Sequence, residues 1–300
     1  MKNPSTIHLI WPFFRQRLFG VRFSGCVHIT DRCNMNCRHC YHKKELNDKS
    51  DTPLSEWRRR FASYKKDGMK YILLLGGEPT MRLDVMRAAE DYFPFISTFT
   101  NGLVKIPAVF NRRIHLSLDG LEGDHDYIRR SGSFRQAVDN YTGDKRVIVN
   151  TIISKMNYKG PEWLQEFIDF VRQMETSGLL IEFFFPQTDE PDSYNYVLDQ
   201  EQYEEIGEVL LKELARKDNI MFTTPHAVKS QVNNDFPYKH CNIRDINRVI
   251  NAKNRTIRCV GDTNDCNYCR ILHKYHVPFY KFPHWWKIKR VRSRYNLYQV

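Results

Sequence analysis

Between Cys33 and Cys40 the chain reads Cys-Asn-Met-Asn-Cys-Arg-His-Cys, which sets Cys33, Cys37 and Cys40 at spacings of four and three. Three thiolates that close can wrap one face of a metal cluster. Iron-sulfur clusters are normally held by four cysteines, so a compact set of three points to a cubane with one iron open to another ligand. A structural zinc site is the alternative, with His39 or His42 as the fourth ligand. Cys241, Cys259, Cys266 and Cys269 form a second set in the last third of the chain. Four thiolates make a complete site there, for a closed cluster or for zinc, which the C-x6-C-x2-C spacing also suits. The eighth cysteine, Cys26, lies just ahead of the first expected strand and reads as buried and inert.

The chain has 300 residues, enough for one large α/β domain with a smaller appendage, and 19 Phe, 16 Tyr and 5 Trp supply an ample core. No run of about 18 apolar residues occurs, so no membrane-spanning helix is expected. The apolar stretch from Ile7 to Phe14 is broken by His8 and Pro12, which does not fit a secretory signal. Cysteines at metal-ligand spacings in a chain this long indicate a reducing compartment, and a cytoplasmic location, with peripheral membrane contact open, is the expectation. Of the formal charge of +11, four basic residues without an acid fall before residue 26 and eight after residue 269. The body between is close to neutral. Basic, aromatic ends on a neutral body imply either an anionic partner or solvated tails.

These residues need a scaffold that brings distant segments together. Val27 to Thr30 reads as a strand running into the cysteine loop. Tyr71 to Leu75, Ile96 to Phe99, Ile114 to Leu118, Val147 to Ile153 and Leu179 to Phe185 are five more. Helices fit between them: one capped by Thr52 with Pro53 at its first position, then Leu83 to Tyr92, Phe134 to Tyr141, one from Pro161 with Gly178 as its stop, and one through Tyr203 to Leu214. Six strands alternating with helices predict a parallel sheet with right-handed crossovers, in the α/β class, as a partial (β/α)6 TIM-like barrel. Function in such barrels sits at the C-terminal strand ends. The cysteine loop, Gly76-Gly77-Glu78-Pro79, Asn101, and Ser117 with Asp119 all fall there. By the two-residue period Ser117 and Asp119 share the interior face with His115.

In this order, the C-x3-C-x2-C loop, the Gly-Gly-Glu-Pro segment and the strand-end residues resemble the radical S-adenosylmethionine (SAM) superfamily over roughly residues 23–222. The resemblance implies a 4Fe-4S cluster on Cys33, Cys37 and Cys40 whose open iron chelates SAM. It places Gly76, Gly77, Glu78 and Pro79 at the SAM ammonium, with glycine letting backbone approach the ligand. Ser117 and Asp119 fall in the ribose and carboxylate region, Asn101 is a further cofactor-binding residue, Asn150 with Thr151 lies at another cofactor contact, and His39 and Tyr41 lie near the adenine or simply packed in the loop. The chemistry implied is reductive cleavage of SAM and hydrogen abstraction by the 5'-deoxyadenosyl radical, fed by a donor such as flavodoxin or ferredoxin.

Arg248 to Ile250 and Thr256 to Arg258 read as a hairpin, with Asn254 where positive φ is needed. This resembles the twitch and SPASM extensions, with Asn254 in a glycine's place and Cys241, Cys259, Cys266 and Cys269 as ligands of a second 4Fe-4S cluster, zinc remaining the alternative. The expected organisation is a basic aromatic extension over 1–22, the core over 23–222, a twitch-like auxiliary region over 223–275 and a basic aromatic tail over 276–300. The expected substrate is a small molecule, anionic or of lipid-headgroup or sugar type. A maturase of ribosomal peptides is one alternative, although the chain leaves no room for a leader-binding domain. A nucleic-acid-binding iron-sulfur or zinc protein without SAM turnover is another, and nucleic acid ranks behind the small molecule as partner. The absence of a Gly-Arg-Arg-type tail argues against the nucleotide rearrangement of molybdopterin synthesis. His115 and Gln187 are further polar groups near the interior.

Overall fold

The fold comes from a computed structural model, which describes residues 22–46, 51–235, 247–259 and 263–271. Cys241, most of the N-terminal extension and the whole basic aromatic tail lie outside the described residues.

Strand β1 (Ser24–His28) leads into the cysteine loop, followed by helix α1 (Leu54–Lys66) and β2 (Tyr71–Leu75). Helix α2 (Leu83–Ala89), β3 (Phe95–Thr100) and β4 (Arg113–Ser117) come next. Between β4 and β5 (Val147–Ile153) the chain forms α3 (Glu122–Ile128) and α4 (Ser133–Tyr141). Helix α5 (Pro161–Gln173), β6 (Gly178–Phe183), α6 (Gln200–Ala215) and α7 (Pro225–Asn233) complete the barrel portion. A hairpin of β7 (Asn247–Ile250) and β8 (Thr256–Ile257) follows.

The sheet order is β6-β5-β4-β3-β2-β1-β7-β8. Six strands pair in parallel in chain order, as the alternating pattern requires, and β7 adds in parallel to the free edge of β1. Among the described strands, β7 and β8 are the antiparallel pair. The barrel is therefore partial, and its β1 edge is covered by the segment that carries the second cysteine set.

Alternation divides each strand between two layers. Val27, Ile72, Leu74, Ile96, Ile114, Leu116, Val147 and Val149 pack outward against Trp57, Phe61, Phe93, Tyr141, Phe167 and Ile168 of the helical layer. On the other face Cys26, Leu75 and Val249 cluster with Leu73, Phe99 and Ile257, lining the inside. Helices α3 and α7 are additions to the expected set. α3 follows the Asp119-Gly120 turn in a segment rich in acid and histidine, which blurs its apolar stripe. Gly178 does not stop α5, which ends at Gln173; it opens β6 at φ +155°, where a Cβ would lie 2.6 Å from the Ile220 carbonyl oxygen.

The hairpin turn is built as its sequence requires. Asn254 has φ +63°, and its Oδ1 accepts a hydrogen bond from the Tyr64 hydroxyl at 2.6 Å. Arg60 Nη1 reaches the Ala252 carbonyl at 2.8 Å. Asparagine thus supplies a tie to α1 that glycine lacks, while tolerating the same backbone geometry.

Candidate functional site

Each loop at the C-terminal end of the sheet is held by another. Gly77 N–H donates to Thr30 O at 2.9 Å and Glu78 N–H to Arg32 O at 2.8 Å, so the Gly-Gly-Glu-Pro turn lies directly on the segment entering Cys33. Glu78 is fully enclosed. Its Oε1 accepts from the Thr80 N–H and hydroxyl and from the Thr100 hydroxyl, and its Oε2 from the Asn101 N–H at 2.8 Å. Burial, partly offset by these donors, leaves its carboxyl shifted upward. Asn101 Nδ2 then donates to Asn34 Oδ1 at 2.7 Å, closing a circuit from β3 back to the cysteine loop.

The glycines also serve a contact within the protein. A Cβ at Gly77 would stand 2.3 Å from Arg32 O, and one at Gly76, where φ is +152°, 2.4 Å from Thr30 O. The close approach is to the cysteine loop's own backbone. Gly77→Ala is expected to cost about 1–3 kcal/mol through this overpacking and to lower iron retention, measurable by thermal unfolding and an anaerobic iron count.

The three thiols of Cys33, Cys37 and Cys40 are half-buried. Burial pushes Cys33 up to about 12 and Cys40 up to about 11, with the neighbouring cysteines adding to both. Burial also raises Cys37, against the opposing effect of the Arg129 guanidinium. Thiols so placed ionise when a cation joins them, which is the chemistry of an iron-binding set. The donor set fits a cluster bound through three cysteines. His39 and His42 place Nε2 against Asp119 and Asp31, at 2.7 and 3.0 Å, so each is already oriented by a carboxylate. Among the described residues no three His, Cys, Asp or Glu side chains close on a single ion.

Asp119 is 0% exposed, and its role in the structure was not visible in the sequence. Oδ2 meets His39 Nε2 at 2.7 Å and Arg129 Nε at 2.6 Å, and Oδ1 accepts from Ile152 N–H at 3.0 Å. Burial alone would raise its pKa, but Arg129 and His39 outweigh burial and hold the carboxyl well below the usual range. The carboxylate ties the cysteine loop to α3 and β5. Ser117 and Asn150 sit side by side in the β4–β5 register, and the buried Asn150 Oδ1 has no partner among the described residues. This acceptor is left with its hydrogen-bonding capacity unused at the strand ends. Thr151, one position on, lies on the opposite face by alternation, toward the helices.

His115 stacks on Phe99 at 4.7 Å and 15° inside the barrel. Gln187 Oε1 accepts from the Thr263 hydroxyl at 3.0 Å, and Thr188 N–H donates to Thr263 O at 2.7 Å. These ties bring the Cys266 loop to the end of β6. Arg258 donates to Cys266 Sγ at 2.9 Å. Tyr41 lies between the cysteine sets, half-buried, with its phenol pushed up by desolvation and by Cys40, Cys26 and Cys259. Cys26 is inside β1 rather than ahead of it; it is buried, accepts from Asn247 Nδ2 at 3.0 Å, and burial raises its thiol to about 11.

Sequence reasoning missed Arg129, since α3 was not expected, and His28, although the two-residue period from Cys26 puts it on the interior face. His28 is 0% exposed and neither ring nitrogen has a hydrogen-bond partner among the described residues. Burial, with His42 adding to it, lowers its pKa to about 3. An unfolded histidine titrates near 6.5, so this group's contribution is complete above that pH and is lost as the pH falls toward 3. The loss amounts to about 2 kcal/mol by about pH 5. His28→Leu should flatten that slope, leaving a smaller one from His125, whose pKa burial lowers to about 4; thermal midpoints on either side of neutrality measure it.

Residues 27–171 match the family profile described as Radical SAM superfamily. GTP 3',8-cyclase of Haemophilus influenzae (strain PittEE) is 27% identical over 246 residues, covering 75% of this chain and 69% of the cyclase. The protein of that name from strain ATCC 51907 is 28% identical over 214 residues, 65% of this chain and 61% of its own length. The crystal structure of Streptococcus suis SuiB bound to precursor peptide SuiA superposes with a TM-score of 0.64 at 16% identity, over 92% of this chain and 69% of SuiB. That structural likeness establishes the shared fold, and the family match sets aside the reading as a binding protein without catalysis. Residues 27–171 of the chain thus carry a radical SAM superfamily domain.

Proposed function

We propose that the chain acts on a small, anionic, sugar-bearing substrate, with Cys33, Cys37 and Cys40 holding a 4Fe-4S cluster and the neighbouring strand ends holding SAM. The observation that carries this reading is the bonded circuit from the cysteine loop through Gly77, Glu78 and Asn101 back to Asn34. Bound together, cluster and SAM supply reductive carbon–sulfur cleavage and a 5'-deoxyadenosyl radical able to take hydrogen from an unactivated carbon.

The chain's own residues orient and exclude. Glu78 fixes the Gly76-to-Pro79 turn and presents a buried carboxylate toward the SAM ammonium. Asn150 Oδ1 and Ser117 offer hydrogen bonds to the ribose region, while Asp119 acts by holding His39 rather than by touching the cofactor. His39 and Tyr41 flank the adenine side. Residues 23–222 form the core in this reading, and 223–275 carry an auxiliary cluster on Cys241, Cys259, Cys266 and Cys269, joined to the core through β7. A flavodoxin or ferredoxin supplies the electron.

The name of the curated relatives supports the substrate class, because GTP is small, anionic and sugar-bearing. It also returns a nucleotide to consideration despite the missing Gly-Arg-Arg tail. Anaerobic incubation with SAM, dithionite and GTP tests the proposal through 5'-deoxyadenosine release and loss of GTP. Release of 5'-deoxyadenosine that no nucleotide or sugar phosphate accelerates would sink the substrate class. Among the described residues no helix is long and apolar enough to cross a membrane.

A further inference from the structure

On the outer side of the cysteine loop, Asn36, Arg38, Lys43, Asp126, Tyr127, Ile128, Arg129 and Arg130 surround one open depression. Arg38 lies between two of the cluster cysteines, and its backbone N–H donates to Ile128 O at 2.9 Å. Its Nε reaches Tyr127 O at 2.8 Å, and its guanidinium lies 4.4 Å from the Tyr127 ring centroid. Arg130 Nη1 reaches Asn34 O at 3.3 Å. The loop is thus pinned to the end of α3, and the rim at the pin is exposed, with Tyr127 57% accessible.

The charge here is one-sided. Arg38, Lys43 and Arg130 are exposed and form no ion pair with a carboxylate among the described residues. Asp126, the acid of the rim, accepts from Gly132 N–H at 2.6 Å and Phe134 N–H at 2.9 Å, so its charge is turned to the start of α4. Arg129 adds a buried cation beneath, close enough to Cys37 and Cys40 for their charge to raise its pKa against burial. An exposed aromatic ringed by uncompensated cations, separated from cluster ligands by a single loop, suits a partner that must come close to the cluster, bind weakly and leave. Electron-transfer encounters are of this kind: small in area and steered by charge.

We propose that this face is the docking surface for an acidic one-electron carrier protein, with Arg38, Lys43 and Arg130 meeting its carboxylates and Tyr127 packing at the centre. The reduced carrier loses one electron and the cluster on Cys33, Cys37 and Cys40 gains it, with no proton or atom transferred. The inference rests on the proposed function for the presence of that cluster. A small polyanion would also be drawn by the charge, but the exposed tyrosine and the open, shallow rim favour a protein surface.

Binding of an acidic flavodoxin to the reconstituted holoenzyme, measured by titration calorimetry at low and physiological ionic strength, tests the docking directly. Wild type is expected to bind more weakly as salt rises, and the Lys43→Glu/Arg130→Glu variant to bind about tenfold more weakly at low salt, with Lys43→Gln/Arg130→Gln between them. Flavodoxin-driven 5'-deoxyadenosine formation should fall with binding, while in Lys43→Glu alone, which keeps the Arg130 tie to Asn34, dithionite-driven formation stays within about twofold of wild type. Unchanged flavodoxin affinity in the charge-reversed variant overturns the proposal, as does wild-type binding that is insensitive to salt. Pyrophosphate binding that the variant loses while flavodoxin binding persists would reassign the face to a small anion. Failure of dithionite to yield 5'-deoxyadenosine in wild type counts against the proposed function, whereas the flavodoxin titration still decides the docking.

Discussion

A variant carrying alanine at Cys33, Cys37 and Cys40 should form no 5'-deoxyadenosine above background and should keep about four irons per chain. The first half follows from the donor set. The three thiols shift one another's ionisation, and removing them together leaves no thiol on that loop. The second half follows from where the other cysteines stand. Cys259 ends the β7–β8 hairpin, which is anchored to β1 by strand pairing and to α1 through Tyr64 and Arg60. Cys266 follows the segment tied to Gln187 and Thr188. None of these anchors passes through the cluster loop, so the second set should survive its loss. Iron quantitation and EPR of reduced wild type and variant separate the two halves. A variant with no iron but bound zinc would assign the second set to zinc, and one that still cleaves SAM would remove the reactive centre from this loop.

Much of the scaffold was legible because it depends on local pattern. Continuous apolar runs such as Tyr71 to Leu75, ending abruptly at glycines, mark buried parallel strands and their C-terminal ends at once. Asn254 was legible because only a few residue types accept its backbone. What the sequence could not carry were contacts between segments far apart. Nothing in the spacing of Gly76 and Gly77 revealed that they also admit the backbone of Thr30 and Arg32. Asp119 looked like an interior carboxylate open to cofactor, and the alternation behind that reading ended with β4 at Ser117. Beyond it the chain turns, and Arg129, ten residues on and across a helix with no clear apolar stripe, takes the carboxylate.

Asp119→Ala is the second change with a large expected effect, about 3–5 kcal/mol of stability, because it strands the buried Arg129 guanidinium without a counter-charge. It also frees His39 and leaves the Ile152 N–H unsatisfied. Asp119→Asn keeps an acceptor for Ile152 but removes the charge, so its loss relative to alanine measures the hydrogen bond apart from the ion pair. If the charge of Arg129 is the main cost, Asp119→Leu combined with Arg129→Met should recover most of the stability, since both charges leave together. The sign of the pH dependence follows from the same pairing. The folded pKa of Asp119 lies below the unfolded value near 3.9, so its contribution is complete above about pH 4 and is given up only below it. The rise in stability between pH 4 and 6.5 therefore comes from His28 and His125, opposed by Glu78, whose raised carboxyl gives up stability as the pH rises through it, and it should persist in Asp119→Asn. Because His39 lies between Cys37 and Cys40, releasing it should also lower iron retention at the first site and broaden its EPR signal, with the second set unaffected. A double variant that regained stability without regaining iron would separate the two functions of this carboxylate: balancing a buried arginine, and holding the cysteine loop in the shape that three thiolates need.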